Sequence, residues 1–229
     1  MKQLPLPIQL DTQATLGNYI AGANLQTVNC LSNLLGQSPE IQVFIWSREE
    51  RGKTHLLQSL TRLAGDNNKV AAYFPMEQFQ DMNPEILDNL DRLKLVCIDD
   101  VDKVCNRPDW AEALFHLINR CRAKLCPLVF SASQNPQSMP VALPDLASRF
   151  LWGQVFHIKP LEDNELERFL NARSKECGLD MPAEVLRYLM QRSRRDVGVL
   201  LKQVEKLDEE ALVRQRRITV PFTKEVLDL

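Results

Sequence analysis

No stretch of this sequence is apolar for long enough to form a membrane-spanning helix. The opening Met1-Lys2-Gln3-Leu4-Pro5 lacks the continuous apolar core of a signal peptide, so a cytoplasmic location is expected. An excess of either charge is also missing. There are 28 Lys and Arg against 30 Asp and Glu, a net charge of −2, so bulk charge gives nucleic-acid binding no support. The cysteines at 30, 97, 105, 121, 126 and 177 form no C-x-x-C pair and no zinc-binding spacing. Cys97 lies in an apolar strand and Cys30 and Cys121 in helical patterns, so buried reduced thiols are expected. Internal repeats and low-complexity segments are absent. What remains is ordinary for a globular chain: 229 residues, 45% hydrophobic and 25% charged, enough for one large domain with or without a small lid.

The stretch with most chemical content is 41–54. Ile41 to Trp46 is an apolar run that predicts a buried strand, a polar turn follows, and Gly52-Lys53-Thr54 opens a helical pattern through Leu56, Leu57, Leu60 and Leu63. Strand, turn, Gly-Lys-Thr and helix is the context of a phosphate-binding P-loop. The first helical turn aims unpaired backbone N–H groups at one point, where the helix dipole also favours an anion. Lys53 would add its charge at the β-phosphate or beyond, and the Thr54 hydroxyl would face Mg²⁺. One position departs from G-x-x-x-x-G-K-[ST]: Ser47 stands where the first Gly belongs. Serine enters the φ > 0 region only at a cost, so a slightly reshaped loop is expected.

Along the rest of the chain, the prolines of residues 1–10 predict an extended arm, and the exposed leucines there would need cover from this chain or a partner's groove. Helical spacing over 24–35 closes at Gly36. Strands are expected over 69–74, 94–98, 127–133 and 154–158, with short helical pieces over 75–91 and a helix over 109–123. Apolar strands alternating with helices predict a five-stranded parallel α/β sheet covered on both faces. After Pro160 the pattern turns helical, near 163–176, 182–192 and 195–215. Ile218–Val220 reads as a short extended piece, with a last helix opening at Pro221. The expected organisation is an arm at 1–10, an α/β nucleotide-binding domain at 11–160 and a helical lid at 161–229.

Asp99 and Asp100 end the third apolar strand, the place of a Walker B carboxylate that holds Mg²⁺ directly or through water. The second position usually carries Glu in strong hydrolases, and Asp100 is shorter. Ser131 and Ser133 end the fourth strand, where a polar group can sense the γ-phosphate. Arg149 precedes the fifth strand, and Arg195 opens a lid helix. Arg187, Arg192, Arg194, Arg195, Lys202, Arg214, Arg216 and Arg217 enrich the lid in positive charge, a solvated face that could also touch DNA non-specifically.

The order P-loop, strand-Asp-Asp, polar strand end, Ala147-Ser148-Arg149-Phe150 and lid arginine resembles the AAA+ ATPases. More closely, Asn18-Tyr-Ile-Ala-Gly-Ala-Asn24, Leu95-Val-Cys-Ile-Asp-Asp-Val101 and Ser148-Arg-Phe-Leu-Trp-Gly153 are similar to the initiator DnaA over about residues 11–229. DnaA carries a further C-terminal DNA-binding domain, and no room for one is expected before Leu229. The arm Gln3-Leu4-Pro5-Leu6-Pro7 resembles a sliding-clamp-binding peptide. Together these features resemble the Hda family of DnaA regulators.

That resemblance implies roles residue by residue. Gln3, Leu4 and Leu6 would enter the pocket of the DNA polymerase sliding clamp (its β subunit). Tyr19 and Ile20 would lie near adenine. Ser47, Gly52, Lys53, Thr54 and His55 would surround the phosphates, Thr54 and Asp99 would serve Mg²⁺, and Ser133 would occupy the first-sensor position. Arg195 matches the second sensor, which contacts the bound nucleotide. Arg149 matches the arginine finger, which projects toward a neighbour's nucleotide. The family implies a bound ADP, DnaA as partner, and AAA+ surfaces suited to a homo-oligomer. The implied function is an adaptor that stimulates hydrolysis of DnaA-bound ATP and so prevents reinitiation. Two other readings stay open: an autonomous P-loop ATPase that remodels or loads a replication component, and a clamp-binding structural protein with a vestigial nucleotide site.

Overall fold

A computed structural model describes residues 14–36, 41–176, 178–179, 181–192 and 197–228. The arm with Gln3, Leu4 and Leu6 lies outside the described residues, as do Arg194 and Arg195.

Five apolar runs form five parallel strands: β1 Gln42–Trp46, β2 Ala71–Pro75, β3 Leu95–Asp99, β4 Leu128–Ala132 and β5 Gln154–His157. The sheet order is β2-β3-β4-β1-β5, so β1 sits between β4 and β5 and the sheet edges are β2 and β5. The inner strands β3 and β4 are buried at every residue, as continuous apolar runs in a sheet covered on both faces require. Side chains alternate across the sheet. On one face Phe44, Val96, Ile98, Leu128 and Phe130 share a core with Trp110, Leu114, Leu117 and Ile118 of α4 (Pro108–Ala123) and with Leu146 and Phe150 of α5 (Pro144–Phe150). The other face carries Cys97, whose thiol meets Thr61 of α2 (Lys53–Asp66). Leu56, Leu57 and Leu60, spaced as one helical stripe, are fully buried on α2. Also before β3 come α1 (Leu25–Asn33), the single turn α3 (Met76–Phe79) and three short 3-10 turns.

The C-terminal part is helical: α6 Asp163–Glu176, α7 Ala183–Arg192, α8 Val197–Arg214 and α9 Val220–Leu227. These helices have their own core, including Leu166, Leu170, Val185, Leu186, Leu189, Leu200, Val204, Leu207 and Phe222. Within the expected extended piece at 218–220, Thr219 is extended (φ −135°, ψ 163°), and α9 opens at Val220, one residue before Pro221. Thr219 caps that helix, its Oγ1 accepting from the Phe222 N–H at 3.4 Å, and Pro221 occupies the first turn.

The chain separates into two compact units. Among the described residues, one holds 14–19, 27–46 and 53–157, and the other holds those from 158 onward together with Ile20–Gln26 and Ser47–Gly52. Within the second unit the Asn24 side chain brackets Lys159, donating to its carbonyl at 3.0 Å and accepting from its N–H at 2.7 Å. Cys97, Cys105, Cys121 and Cys126 are buried and Cys30 is half-buried, none of them in a disulfide, and Cys177 lies outside the described residues. Among the described residues no helix is long and apolar enough to cross a membrane.

Candidate functional site

The loop after β1 is built from its own side chains. Ser47 is fully buried, and its hydroxyl donates to the Glu49 carbonyl at 2.8 Å. Its backbone stays out of the left-handed region, so serine is accommodated here without the strain that its departure from the glycine pattern would suggest. Arg51 pairs with Glu49 at 2.6 Å and donates to the Ile158 carbonyl at 2.9 Å. Gly52 does need its freedom, with φ of 80° directly before α2. Lys53 and Thr54 then form the first turn of a 14-residue helix, where backbone N–H groups lack intrahelical acceptors. Thr54 is exposed, and Lys53 and His55 are half-buried.

The segment before α1 meets this helix start. The ring nitrogen Nε2 of His55 lies 3.0 Å from the Thr15 carbonyl oxygen, and the Tyr19 and His55 ring centroids are 5.8 Å apart. Burial pushes the Tyr19 hydroxyl up to about 12. Tyr19, expected near adenine, therefore packs beside the P-loop helix. Ile20 follows it and is half-buried.

Asp99 is 2% exposed at the end of β3. Tyr73 of the neighbouring β2 donates its hydroxyl to Oδ2 at 2.7 Å, and Ser131 of β4 donates to Oδ1. Ser131 Oγ in turn accepts from the Asp100 N–H at 2.9 Å, and Gln58 of α2 donates to the Tyr73 oxygen at 3.4 Å. Burial, and then the charge of Asp99, push the Tyr73 hydroxyl far above the ordinary phenol range. The next residue, Asp100, turns into the left-handed region with φ of 53°. Burial first, then the Asp99 charge, push its carboxyl up to about 6, against the opposing pull of Lys53. Ser133, expected at the first-sensor position, turns to Asp102: its N–H and hydroxyl donate to the two carboxylate oxygens at 3.2 and 2.5 Å.

A divalent cation is the group expected beside a phosphate-binding loop. Both Asp99 oxygens already accept an internal hydrogen bond, Thr54 presents an exposed hydroxyl, and no cluster of three or more His, Cys, Asp or Glu suited to a metal occurs among the described residues. A Mg²⁺ bound here would draw most of its ligands from nucleotide phosphates, and Thr54 and a water-bridged Asp99 would be the protein groups able to serve it.

Arg149 lies in the last turn of α5, and among the described residues it meets Gln42, Phe115 and Trp152. Its backbone carbonyl accepts from Gln42 Nε2 at 2.7 Å and from the Trp152 N–H at 3.1 Å. Its guanidinium carbon sits 3.7 Å from the Trp152 ring centroid and 5.2 Å from that of Phe115. Arg122 stands 4.4 Å from the same Trp152 ring. The guanidinium thus lies across aromatic faces instead of standing clear of the surface, because a ring face attracts a cation. Arg195, expected at the second-sensor position, lies outside the described residues. Tyr73, Gln58, Phe115 and Trp152 were not singled out by sequence reasoning, and each acquires its partner only through pairing of distant segments.

A P-loop at the start of α2, a buried carboxylate ending β3, polar ends to β4 and a helical C-terminal part together define an AAA+ type P-loop domain. The family model described as the bacterial DnaA ATPase domain matches residues 10–157, and that described as the Hda lid domain matches 163–227. The chain belongs to the bacterial DnaA ATPase-domain family, with C-terminal helices of the Hda-lid kind. Domain III of the Thermotoga maritima replication initiation protein DnaA is similar in fold, with a TM-score of 0.87 at 20% identity over 96% of this chain and 98% of that one. AMPPCP-bound DnaA from Aquifex aeolicus gives 0.75 at 21% identity, over 90% of this chain and 67% of that one. The Thermotoga maritima RuvB Holliday junction branch migration motor gives 0.72 at 16% identity, over 96% and 73%.

Proposed function

We propose that this chain is a nucleotide-holding adaptor that inactivates DnaA. ADP, with Mg²⁺ as companion, occupies the Gly52-Lys53-Thr54 corner and sustains the fold, with Tyr19 and Ile20 at the base and Arg195 at the phosphates. Residues 3–7 dock on the polymerase sliding clamp through Gln3, Leu4 and Leu6. The chain then presents Arg149 to ATP-bound DnaA and stimulates hydrolysis in DnaA's own site. AAA+ surfaces serve this contact and self-association, and DNA is touched at most non-specifically, in the cytoplasm.

The observation that carries this reading is a cation held against ring faces. Among the described residues Arg149 is stacked on rings and its buried Nε makes no hydrogen bond. A charge held this way is available to an external anion. An arginine supplied in trans to a developing phosphoryl charge is worth about 10³–10⁵ in rate in well-studied systems.

The test measures phosphate release in two mixtures: the protein alone with Mg-ATP, and the protein with ATP-loaded DnaA and clamp on DNA. The reading expects slow release alone, fast release in the full mixture, and loss of the stimulation on Gln3→Ala with Leu4→Ala. Brisk release by the protein alone, abolished by Lys53→Ala, would establish the autonomous ATPase instead.

A further inference from the structure

Hydrogen bonds do not fix the Arg149 head group where its buried Nε is concerned, since that atom has no acceptor. Stacking does: the guanidinium carbon is 3.7 Å from the Trp152 ring centroid, with Phe115 as a second wall at 5.2 Å. The backbone beneath the stack is held firmly. Gln42 Nε2 donates to the Arg149 carbonyl at 2.7 Å, and the Trp152 N–H donates to the same oxygen at 3.1 Å. Next in the chain, Gly153 passes so close to β1 that a Cβ there would sit 1.9 Å from the Gln42 carbonyl oxygen. One residue, Gln42, therefore ties both ends of the Arg149–Gly153 turn, and the turn sets the indole against the guanidinium. Trp152 remains 37% exposed, which is a large aromatic surface to leave in water unless the ring has a use there.

We propose that Trp152 is a positioning residue for Arg149. Its ring face orients the guanidinium plane and restricts the side chain's rotamers before any partner arrives. The Nη donors are left for a phosphate oxygen of a nucleotide held by the partner. Arginine loses much rotamer freedom when it is fixed, so pre-ordering it moves that loss from the encounter to folding. A second cation, Arg122 at 4.4 Å from the same ring, keeps the local potential positive and favours an anion there. The proposal rests on the adaptor reading above, in which Arg149 acts on DnaA-bound ATP.

The experiment follows hydrolysis of DnaA-bound ATP with full-length variants Arg149→Ala, Trp152→Ala, Trp152→Leu and Trp152→Phe, over a concentration series of each. Arg149→Ala is expected to remove stimulation. Trp152→Ala and Trp152→Leu are expected to lower the maximal rate by about tenfold while leaving the half-saturating concentration unchanged, and Trp152→Phe to restore it within about twofold. Leucine fills space without a ring face, so it separates stacking from packing if the alanine variant folds poorly. A Trp152→Leu maximal rate equal to the parent's, with Arg149→Ala inactive, overturns the positioning role alone. A Trp152→Phe rate as low as that of Trp152→Leu also overturns it. Parent-level stimulation by Arg149→Ala overturns the adaptor reading itself.

Discussion

Asp100 gives the cleanest quantitative test of the electrostatics at the end of β3. Its carboxyl is pushed up to about 6 by burial and by the adjacent Asp99 charge. An unfolded aspartate titrates near 3.9, so the folded ligand-free protein holds this proton about two units longer. Above pH 6 the ionised carboxylate therefore opposes folding, by about 3 kcal/mol at most and somewhat less with partial solvent access. The sign follows from proton binding: the native state binds more protons than the unfolded state between pH 4 and 6, so stability falls as pH rises through that window. Asp100→Asn removes the charge but keeps the size, and asparagine tolerates the left-handed φ of 53° as readily as aspartate does. In urea unfolding with EDTA and no nucleotide, the substitution should stabilise the protein by about 1–3 kcal/mol at pH 8. The gain should shrink by about 1 kcal/mol or more at pH 5, where the native aspartate is largely protonated. An equal gain at both pH values, or a loss of stability at pH 8, would refute the reasoning.

The neighbouring groups respond differently. Tyr73→Phe removes the hydroxyl that binds Asp99 Oδ2 at 2.7 Å and leaves a buried carboxylate short of a donor, so unfolding free energy should fall by about 1–3 kcal/mol in urea titration. Gly153→Ala forces a Cβ to within 1.9 Å of the Gln42 carbonyl oxygen, and calorimetry should show a melting temperature lower by several degrees. Lys53→Ala should weaken ADP binding by at least tenfold in titration calorimetry, because Lys53 stands on the first turn of α2, where the loop pattern puts a phosphate-binding charge.

Much of the fold was legible because its signals are local. The run from Ile41 to Trp46 before Gly-Lys-Thr, and Leu95–Ile98 before two aspartates, announce buried strands whose ends carry chemistry, and the long lid helices show in their apolar spacing. The helix α5 escaped notice because its seven residues bury only Leu146 and Phe150, too few for a period to show. The passage into α9 differs from the reading by one residue: Thr219 is extended as expected, and its cap starts the helix at Val220 with Pro221 in the first turn. At the candidate site the sequence pointed to Lys53, Thr54, Asp99 and Arg149, each through residue type in a motif. Tyr73 was hidden because an apolar strand accepts tyrosine without comment, and its tie to Asp99 exists only after β2 pairs with β3. Trp152 was hidden for the same reason: its contacts with Arg122 on α4 and Arg149 need the sheet to close first.

The central claim is that one arginine of this chain acts in another protein's nucleotide site. It is tested most directly by a single turnover of labelled ATP already bound to DnaA, started by adding clamp-loaded protein carrying either Arg149 or Arg149→Ala. The account predicts rapid decay of the label with Arg149, and decay at the unstimulated rate with the alanine variant, although the variant retains its own ADP. Equal decay with both proteins would contradict it.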